Sequence, residues 1–229
     1  MPAWRGGWTL VDRVGTAEQL VLTQPDVGTR RLASLCRPTT PAVVLGSTQR
    51  PTEVDDKRRL RGDYELVTRR SGGGAVVVAP QAQVWLDLFV PRDDPLFDDD
   101  IGRAAYWVAE LWIAAIEKSG NPSDPIEPIR ELVPTRFSRA VCFSGLGPGE
   151  VTIAGRKVVG VSQRRGRSGA WFFTMALREN TQGVLSELLV LEAGDREALA
   201  SELATRVGTI DAGVDELEAA ISSSLSDGA

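Results

Sequence analysis

The clearest gap in this sequence is histidine, which is absent from all 229 residues. Without an imidazole, the chain excludes Ser-His-Asp and Cys-His catalysis and every zinc site that needs a histidine ligand. Cysteine is nearly as scarce, because Cys36 and Cys142 are the only two and cannot alone complete a thiolate zinc site. We therefore predict no metal site, and any reaction must rest on Lys, Arg, Asp, Glu, Ser, Tyr or Cys side chains.

Long hydrophobic runs are missing as well. No stretch approaches the roughly 18 apolar residues of a membrane span, and residues 1–8 lack the apolar core of a signal peptide. The two distant cysteines give no disulfide framework, which is typical of a reducing compartment. The net charge of -5 argues against a general affinity for nucleic acid or anionic membranes. We expect a cytoplasmic protein with neither nucleic acid nor membrane as a partner.

The composition that remains is that of an ordinary globular domain, 42% hydrophobic and 25% charged. Strand patterns dominate the middle of the chain and helical patterns flank them, which favours a mixed α/β or α+β domain over a helix bundle. The strand patterns cover residues 42–45, 64–68, 75–79, 83–90, 151–154, 158–162, 170–177 and 185–191. The helical patterns cover residues 9–22 with Thr16 as N-cap, 101–118, 196–207 and 214–225, whereas residues 50–61 are predicted to form a loop. Trp85, Trp107, Trp112 and Trp171 lie in these elements and are predicted core residues.

A run of three glycines, residues 72–74, lies between two strand patterns and follows Arg69 and Ser71. Glycines let a backbone approach a ligand closely, with N–H groups free to face an anion. The arginine adds a planar, charged fork for phosphate or carboxylate. Taken alone, the run is equally typical of an ordinary hairpin.

Two further segments combine turn residues with polar side chains. Lys157 stands between a turn at Gly155 and an apolar strand that contains Gly160, and a half-buried lysine there can hold a carbonyl or phosphate oxygen. Residues 46–49, of sequence GSTQ, can line a cleft at the end of a strand. A solvated hairpin lysine and a surface turn are the simpler interpretations of each segment by itself.

Together, the order and spacing of the three segments resemble the lipoate–protein ligase and octanoyltransferase family, within the biotin/lipoate protein ligase superfamily. Residues 43–49 are similar to the strand end VVIGRxQ of that family, and residues 155–163 are similar to its GRKxxGxAQ segment. Residues 69–75 resemble its RRxSGGGA loop, with Arg69 at the second arginine and Ala75 at the alanine. The resemblance implies an α+β fold with central, mostly antiparallel sheets flanked by helices, as a single catalytic domain over residues 1–229.

The same resemblance implies a site and its ligands. Lys157 would hold the acyl carbonyl, and the acyl group or acyl-adenylate would be bound by Arg69, Ser71, Gly72, Gly73, Gly74, Ala75, Gly155 and Gly160. The substrate would be lipoate or octanoate, activated by ATP with Mg²⁺ if the chain acts as a ligase. The partner would be a lipoyl carrier domain of a 2-oxoacid dehydrogenase or of a glycine cleavage protein.

The sequence departs from the family pattern at several positions. Thr68 replaces the first arginine of the loop, and Ser47 replaces the arginine of the strand end. A His, an Asp and an Asn that usually follow the glycine loop are replaced by Val78, Ala79 and Ala82. Little chain follows Leu191, so a full C-terminal accessory domain is not expected. These changes concern the adenylation step more than the fold.

Three functions therefore stay open. The first is a divergent ATP-dependent ligase that forms an acyl-adenylate. The second is an ATP-independent octanoyl or lipoyl transferase with Cys142 as the nucleophile, since the thiolate is the reactive form and the cationic Arg139, Arg156 and Lys157 lie nearby in sequence. The third is a non-catalytic relative that binds an acyl ligand or a carrier. In each case Arg164, Arg165 and Arg167 either dock an acidic carrier domain or form a solvated hairpin.

Overall fold

The computed structural model describes residues 2–120 and 123–226, which form ten strands and six α-helices. The strands are β1 Trp8–Gly15, β2 Arg31–Pro38, β3 Ala42–Leu45, β4 Glu65–Thr68, β5 Val76–Val78, β6 Gln83–Pro91, β7 Ile126–Pro128, β8 Val151–Ile153, β9 Arg156–Arg165 and β10 Gly169–Leu177. The helices are α1 Ala17–Leu22, α2 Asp56–Arg61, α3 Tyr106–Gly120, α4 Leu185–Leu188, α5 Ala193–Arg206 and α6 Val214–Leu225. Within the described ranges, no helix is long and apolar enough to cross a membrane.

The strands form two sheets. The large sheet has seven strands in the order β1-β2-β6-β10-β9-β8-β7, and the small sheet has three in the order β4-β3-β5. The β1–β2 and β3–β4 pairs are parallel, and the other pairs are antiparallel. The predicted α+β class with central, mostly antiparallel sheets and flanking helices is therefore confirmed.

Strand β6 shows how the large sheet divides the interior into two cores. Successive side chains of a strand point to opposite faces. Leu86 and Leu88 pack in one core with Trp112 of α3, whereas Trp85 packs in a second core with Val76 of the small sheet. Helices α3 and α6 thus cover one face of the large sheet, and the small sheet packs on the other together with α1, α4 and α5. The candidate site lies in this second core.

Three secondary-structure predictions are wrong. Residues 8–15 form β1 and not the start of a helix, because they pair in parallel with β2, a strand that the sequence reading missed. The helix begins only after Thr16, which caps it by accepting a hydrogen bond from the Gln19 N–H at 3.3 Å. Residues 185–191 contain helix α4 and not a strand, because a short apolar run has too little periodicity to separate the two. Residues 50–61 contain α2, which is capped by Asp55.

Candidate functional site

A cavity of about 60 Å³ lies between the two sheets. The small sheet contributes valines to its wall, and the large sheet contributes Trp85, Phe173 and Met175. The lining residues with polar side chains are Arg69, Cys142, Ser162 and Thr174. The lining suits a mainly apolar ligand that carries a polar group.

The glycine loop and the strand end 43–49 can approach closely because the residues at their points of contact are glycines. A Cβ built on Gly46 would lie 1.8 Å from the Gly73 carbonyl oxygen, so only a glycine at 46 allows this approach. Gly73 itself has a φ of 96°, in the region that favours glycine. A Cβ on Gly74 would lie 2.5 Å from the Val141 nitrogen. The loop is therefore packed backbone against backbone on both sides.

Arg69 braces this loop from within. Its Nη2 donates to the carbonyl oxygens of Gly72 at 2.8 Å and of Gly74 at 2.9 Å. Burial lowers the pKa of Arg69, and the neighbouring Cys142 thiol acts in the opposite direction. The guanidinium thus fixes the glycine run and lies beside the cysteine.

Cys142 is held at the same loop by backbone hydrogen bonds. Its N–H donates to the Ala75 carbonyl at 3.0 Å, and the Ala75 N–H donates to the Ala140 carbonyl at 2.8 Å. The thiol is partly exposed and lines the cavity. Its Sγ lies 4.0 Å from the position that a Cβ on Gly73 would take. A nucleophile at this position would reach both the glycine loop and the apolar cavity.

Lys157 is buried, and its ammonium group has three partners within the protein. Its Nζ lies 2.7 Å from Glu150 Oε1 and donates to the carbonyl oxygens of Cys142 at 2.7 Å and of Gly145 at 3.0 Å. An ammonium has three donors, so these three acceptors satisfy it. Burial raises the pKa of Glu150, and the Lys157 charge counteracts that rise. The pair ties β9 to the loop that carries Cys142.

The remaining predicted site residues divide into two groups. Ser71 is buried and its Oγ accepts a hydrogen bond from Ser162 Oγ at 2.5 Å. Gly160 lines the cavity, where a Cβ would lie 2.9 Å from the Phe143 ring. Gly155 has a φ of 72° in the β8–β9 turn and is not among the described residues that line the cavity. Arg69, Ser71, Cys142 and Gly160 are thus brought together, and Gly155 is not.

Sequence reasoning missed two carboxylates. Glu150 gave no signal, because nothing in its neighbourhood distinguishes it from a surface acid. Asp87 did carry a signal, because it stands in the middle of the otherwise apolar strand β6. It accepts a hydrogen bond from Trp85 Nε1 at 2.7 Å, and burial raises the pKa of Asp87 to about 7. Gln49 was part of a motif but had no assigned role; it bonds the Gly46 N–H at 3.0 Å and the Ala140 carbonyl at 3.2 Å.

The segment that follows the glycine loop has apolar side chains at the three positions where the sequence departs from the family pattern. Val78 is 1% exposed and lines the cavity, and Ala82 is 2% exposed. The N–H and carbonyl of Ala79 are both bonded by the Gln83 side chain. No side chain at these three positions offers a polar atom to a phosphate. Across residues 2–120 and 123–226, no group of three or more His, Cys, Asp and Glu side chains is placed to hold a metal ion.

The predicted basic cluster is partly used within the fold. Arg165 donates to the Asp99 carbonyl at 3.2 Å and stacks on the Phe97 ring at 5.0 Å. Arg164 is half-buried and Arg167 is exposed. Arg167 is therefore the most accessible of the three to a partner.

Comparison with known proteins identifies relatives of this arrangement. The family model of the lipoyl protein ligase A/B catalytic domain matches residues 17–222. The octanoyltransferase LipM of Clostridioides difficile is 28% identical over 113 residues, which is 49% of this chain and 40% of that protein, so the match spans less than half of the relative.

Two solved structures share the fold. A bipartite lipoate protein ligase from Thermoplasma acidophilum, solved in a study with its E2 lipoyl domain, has a TM-score of 0.72 at 16% identity over 94% of this chain and 81% of that one. A lipoate-protein ligase A bound with ATP has a TM-score of 0.64 at 17% identity over 95% and 82%.

Proposed function

Because the chain belongs to the lipoyl protein ligase A/B catalytic-domain family, we propose that it transfers an octanoyl or lipoyl group to a carrier lysine through a thioester on Cys142. One observation carries this proposal. The Cys142 thiol opens into the apolar cavity, beside the Arg69 guanidinium and the glycine loop. The thiolate is the reactive form of cysteine.

The reaction runs in two acyl transfers. In the first, Cys142 Sγ attacks the carbonyl carbon of an acyl thioester, the S–C bond to Cys142 forms, the bond to the donor sulfur breaks, and the donor leaves as a thiol with the proton of Cys142. In the second, the neutral amine of the carrier lysine attacks that carbonyl. The C–N bond of the amide forms, the bond to Cys142 breaks, and the amine proton returns to the thiol.

Lys157 is a positioning residue in this mechanism. Its three donors are used by Glu150, Cys142 and Gly145, so it acts on the reaction through the backbone that carries the thiol.

The acceptor would be a lipoyl carrier domain of a 2-oxoacid dehydrogenase or of a glycine cleavage protein. The fold similarity to a ligase solved in a study with its E2 lipoyl domain supports this class of partner. Arg167 is available to dock an acidic carrier surface. We assign the activity to the cytoplasm, which the unpaired thiols of Cys36 and Cys142 support.

An ATP-dependent ligase is the alternative function, supported by the fold similarity to a ligase that binds ATP. Val78, Ala79 and Ala82 weigh against it, because they supply no polar contact where the nucleotide would need one. Hydroxamate formation from octanoate or lipoate that requires ATP would favour this alternative over the transferase.

Intact-protein mass spectrometry tests the transferase directly. After incubation with octanoyl-carrier protein, the wild-type chain should gain one octanoyl group, which hydroxylamine removes and which peptide mapping assigns to Cys142. Cys142→Ser should lose the thioester, and Cys36→Ser should keep it, because Cys36 is buried away from the cavity. An unmodified Cys142 after incubation with both octanoyl and lipoyl donors would rule out this mechanism.

A further inference from the structure

We propose that the acyl chain lies across the strands of the large sheet, from Cys142 to Trp85. The Trp85 side chain then limits the length of the acyl chain to about eight carbons. This inference rests on the proposed function, because it names the class of acyl group that the Cys142 site accepts.

The register of three strands defines the path. Gly160 of β9 pairs with Met175 of β10, and Met175 pairs with Trp85 of β6. Directly paired residues of antiparallel strands share one face of the sheet. Phe143, the residue after Cys142, packs against Gly160. The cavity floor therefore begins at the cysteine loop and ends at Trp85, two interstrand spacings away, which is about 10 Å.

That distance matches a medium-length acyl chain. With carbon–carbon bonds of about 1.5 Å and angles near 111°, an extended eight-carbon chain is about 9 Å long. Four more carbons add roughly 5 Å by the same geometry, which is one further strand. The next strand is β2, where Cys36 pairs with Trp85, and β2 contributes none of the described lining residues. A longer chain would therefore meet the indole ring.

Trp85 is fixed in this position by a buried acid. Its Nε1–H donates to Asp87 Oδ1 at 2.7 Å, and Asp87 Oδ2 lies 3.8 Å from Arg13 Nη1 and from Cys36 Sγ. A ring that swung aside would leave Asp87 without this donor in a region that excludes water. Met175, with three flexible torsions, can adapt to a ligand, but the anchored indole cannot. Trp85 and Asp87 together form what we call the length stop.

The test compares acyl donors of three lengths. Octanoyl-, decanoyl- and dodecanoyl-N-acetylcysteamine thioesters are incubated with the protein, and the rate of Cys142 acylation is followed by intact-protein mass spectrometry. One methylene that a pocket cannot seat changes a rate roughly 10- to 200-fold. The wild type should therefore prefer octanoyl over dodecanoyl by at least about 100-fold, and Trp85→Leu should narrow that ratio by about tenfold or more.

Three further variants separate the length stop from general damage. Trp107→Phe is the matched control, because Trp107 is as buried as Trp85, packs in the core on the other face of the large sheet, and does not line the cavity. It should leave the length ratio unchanged. Asp87→Leu should narrow the octanoyl-to-dodecanoyl ratio. Asp87→Asn keeps an acceptor for the indole N–H and should therefore keep the wild-type ratio. If Trp85→Leu does not fold, Trp85→Phe replaces it, because phenylalanine removes less of the side chain that closes the cavity.

The outcomes distinguish this inference from the proposed function. Equal octanoyl-to-dodecanoyl ratios in wild type and in the Trp85 variants would overturn the length stop while leaving the transferase intact. Absence of acylation with all three donors would instead remove the Cys142 mechanism. In that case calorimetric titration with octanoate and dodecanoate still tests the stop, which requires tighter dodecanoate binding by Trp85→Leu than by the wild type.

Discussion

At the scale of single residues, the charged and amide side chains around the cavity bind the protein's own backbone. Lys157 holds the Cys142 and Gly145 carbonyls, Arg69 holds those of Gly72 and Gly74, and Gln49 holds that of Ala140. Each of these bonds restrains the backbone of a loop segment beside the cavity. The thiol of Cys142 is thereby set against the cavity by groups that need not touch the substrate.

Variants of Lys157 should show whether this residue positions the Cys142 loop or only stabilises the fold. Lys157→Met leaves the buried Glu150 carboxylate unpaired, which should lower the free energy of unfolding by about 3–5 kcal/mol. Lys157→Met combined with Glu150→Gln removes both charges and should recover much of that loss in urea denaturation. The double variant should still acylate Cys142 at least tenfold more slowly than wild type, because nothing holds the Cys142 carbonyl. Wild-type acylation by the double variant would show that Lys157 acts only on stability.

At the scale of secondary-structure elements, the site forms where the end of β3, the glycine loop and the Cys142 loop pack backbone against backbone. The end of β3 contacts Gly73, and Gly74 contacts the backbone at Val141. Glycine at these positions removes the Cβ atoms that would hold the segments apart. The β8–β9 hairpin then brings Lys157 to the same place through its turn at Gly155.

Two neighbouring glycines should respond differently to alanine. A Cβ on Gly74 would overlap the Val141 backbone at 2.5 Å, so Gly74→Ala should cost about 1–3 kcal/mol of stability and displace the Cys142 loop. We expect its acylation rate to fall at least tenfold in the mass-spectrometric assay. A Cβ on Gly72 meets nothing within 4 Å, so the matched variant Gly72→Ala should stay within about 0.5 kcal/mol of wild type. Equal effects of the two substitutions would contradict the close packing of the loop on residue 141.

At the scale of the whole molecule, a single buried acid links three strands of the large sheet. Asp87 of β6 contacts Arg13 of β1, Cys36 of β2 and Trp85 of its own strand. Burial raises the pKa of Asp87 from the ordinary 3.8 to about 7, against the opposing effects of the Trp85 hydrogen bond and the Arg13 charge. Between those values the folded protein keeps a proton that the unfolded chain has released.

The stability of the fold should therefore fall as pH rises from about 4 to about 7, and this contribution should be constant above that range. Each pKa unit corresponds to about 1.4 kcal/mol, so the difference between 3.8 and about 7 amounts to roughly 4 kcal/mol. Asp87→Asn cannot ionise, so it should lose this part of the pH dependence and gain stability relative to wild type at pH 8. Urea denaturation of both proteins from pH 4 to 8 measures the difference. If the free energies of unfolding of the two proteins changed in parallel with pH, Asp87 would be ionised in the folded protein over the whole pH range.

Several features of the fold follow from local sequence. The alternation in β6, the apolar run of β10, the helical spacing in α5 and α6, and the Thr16 cap were all predictable, because each depends on residues close together in the chain. Strand β1 was not, because its residues form a strand only through pairing with residues of β2 that lie 23 positions later in the chain. The α4 region was misread because four residues are too few to show a period.

The sequence alone determined the family, the mixed fold and the segments that surround the site, because glycines, one lysine and one cysteine at particular spacings carry that information. Only the tertiary structure decided what each residue contacts. It paired Lys157 with Glu150 and with backbone carbonyls, and it placed Trp85 in the cavity wall with Asp87 as its hydrogen-bond acceptor. The reason is physical: hydrogen-bond partners and cavity walls come from strands distant in sequence, and their register is fixed only when the whole sheet forms.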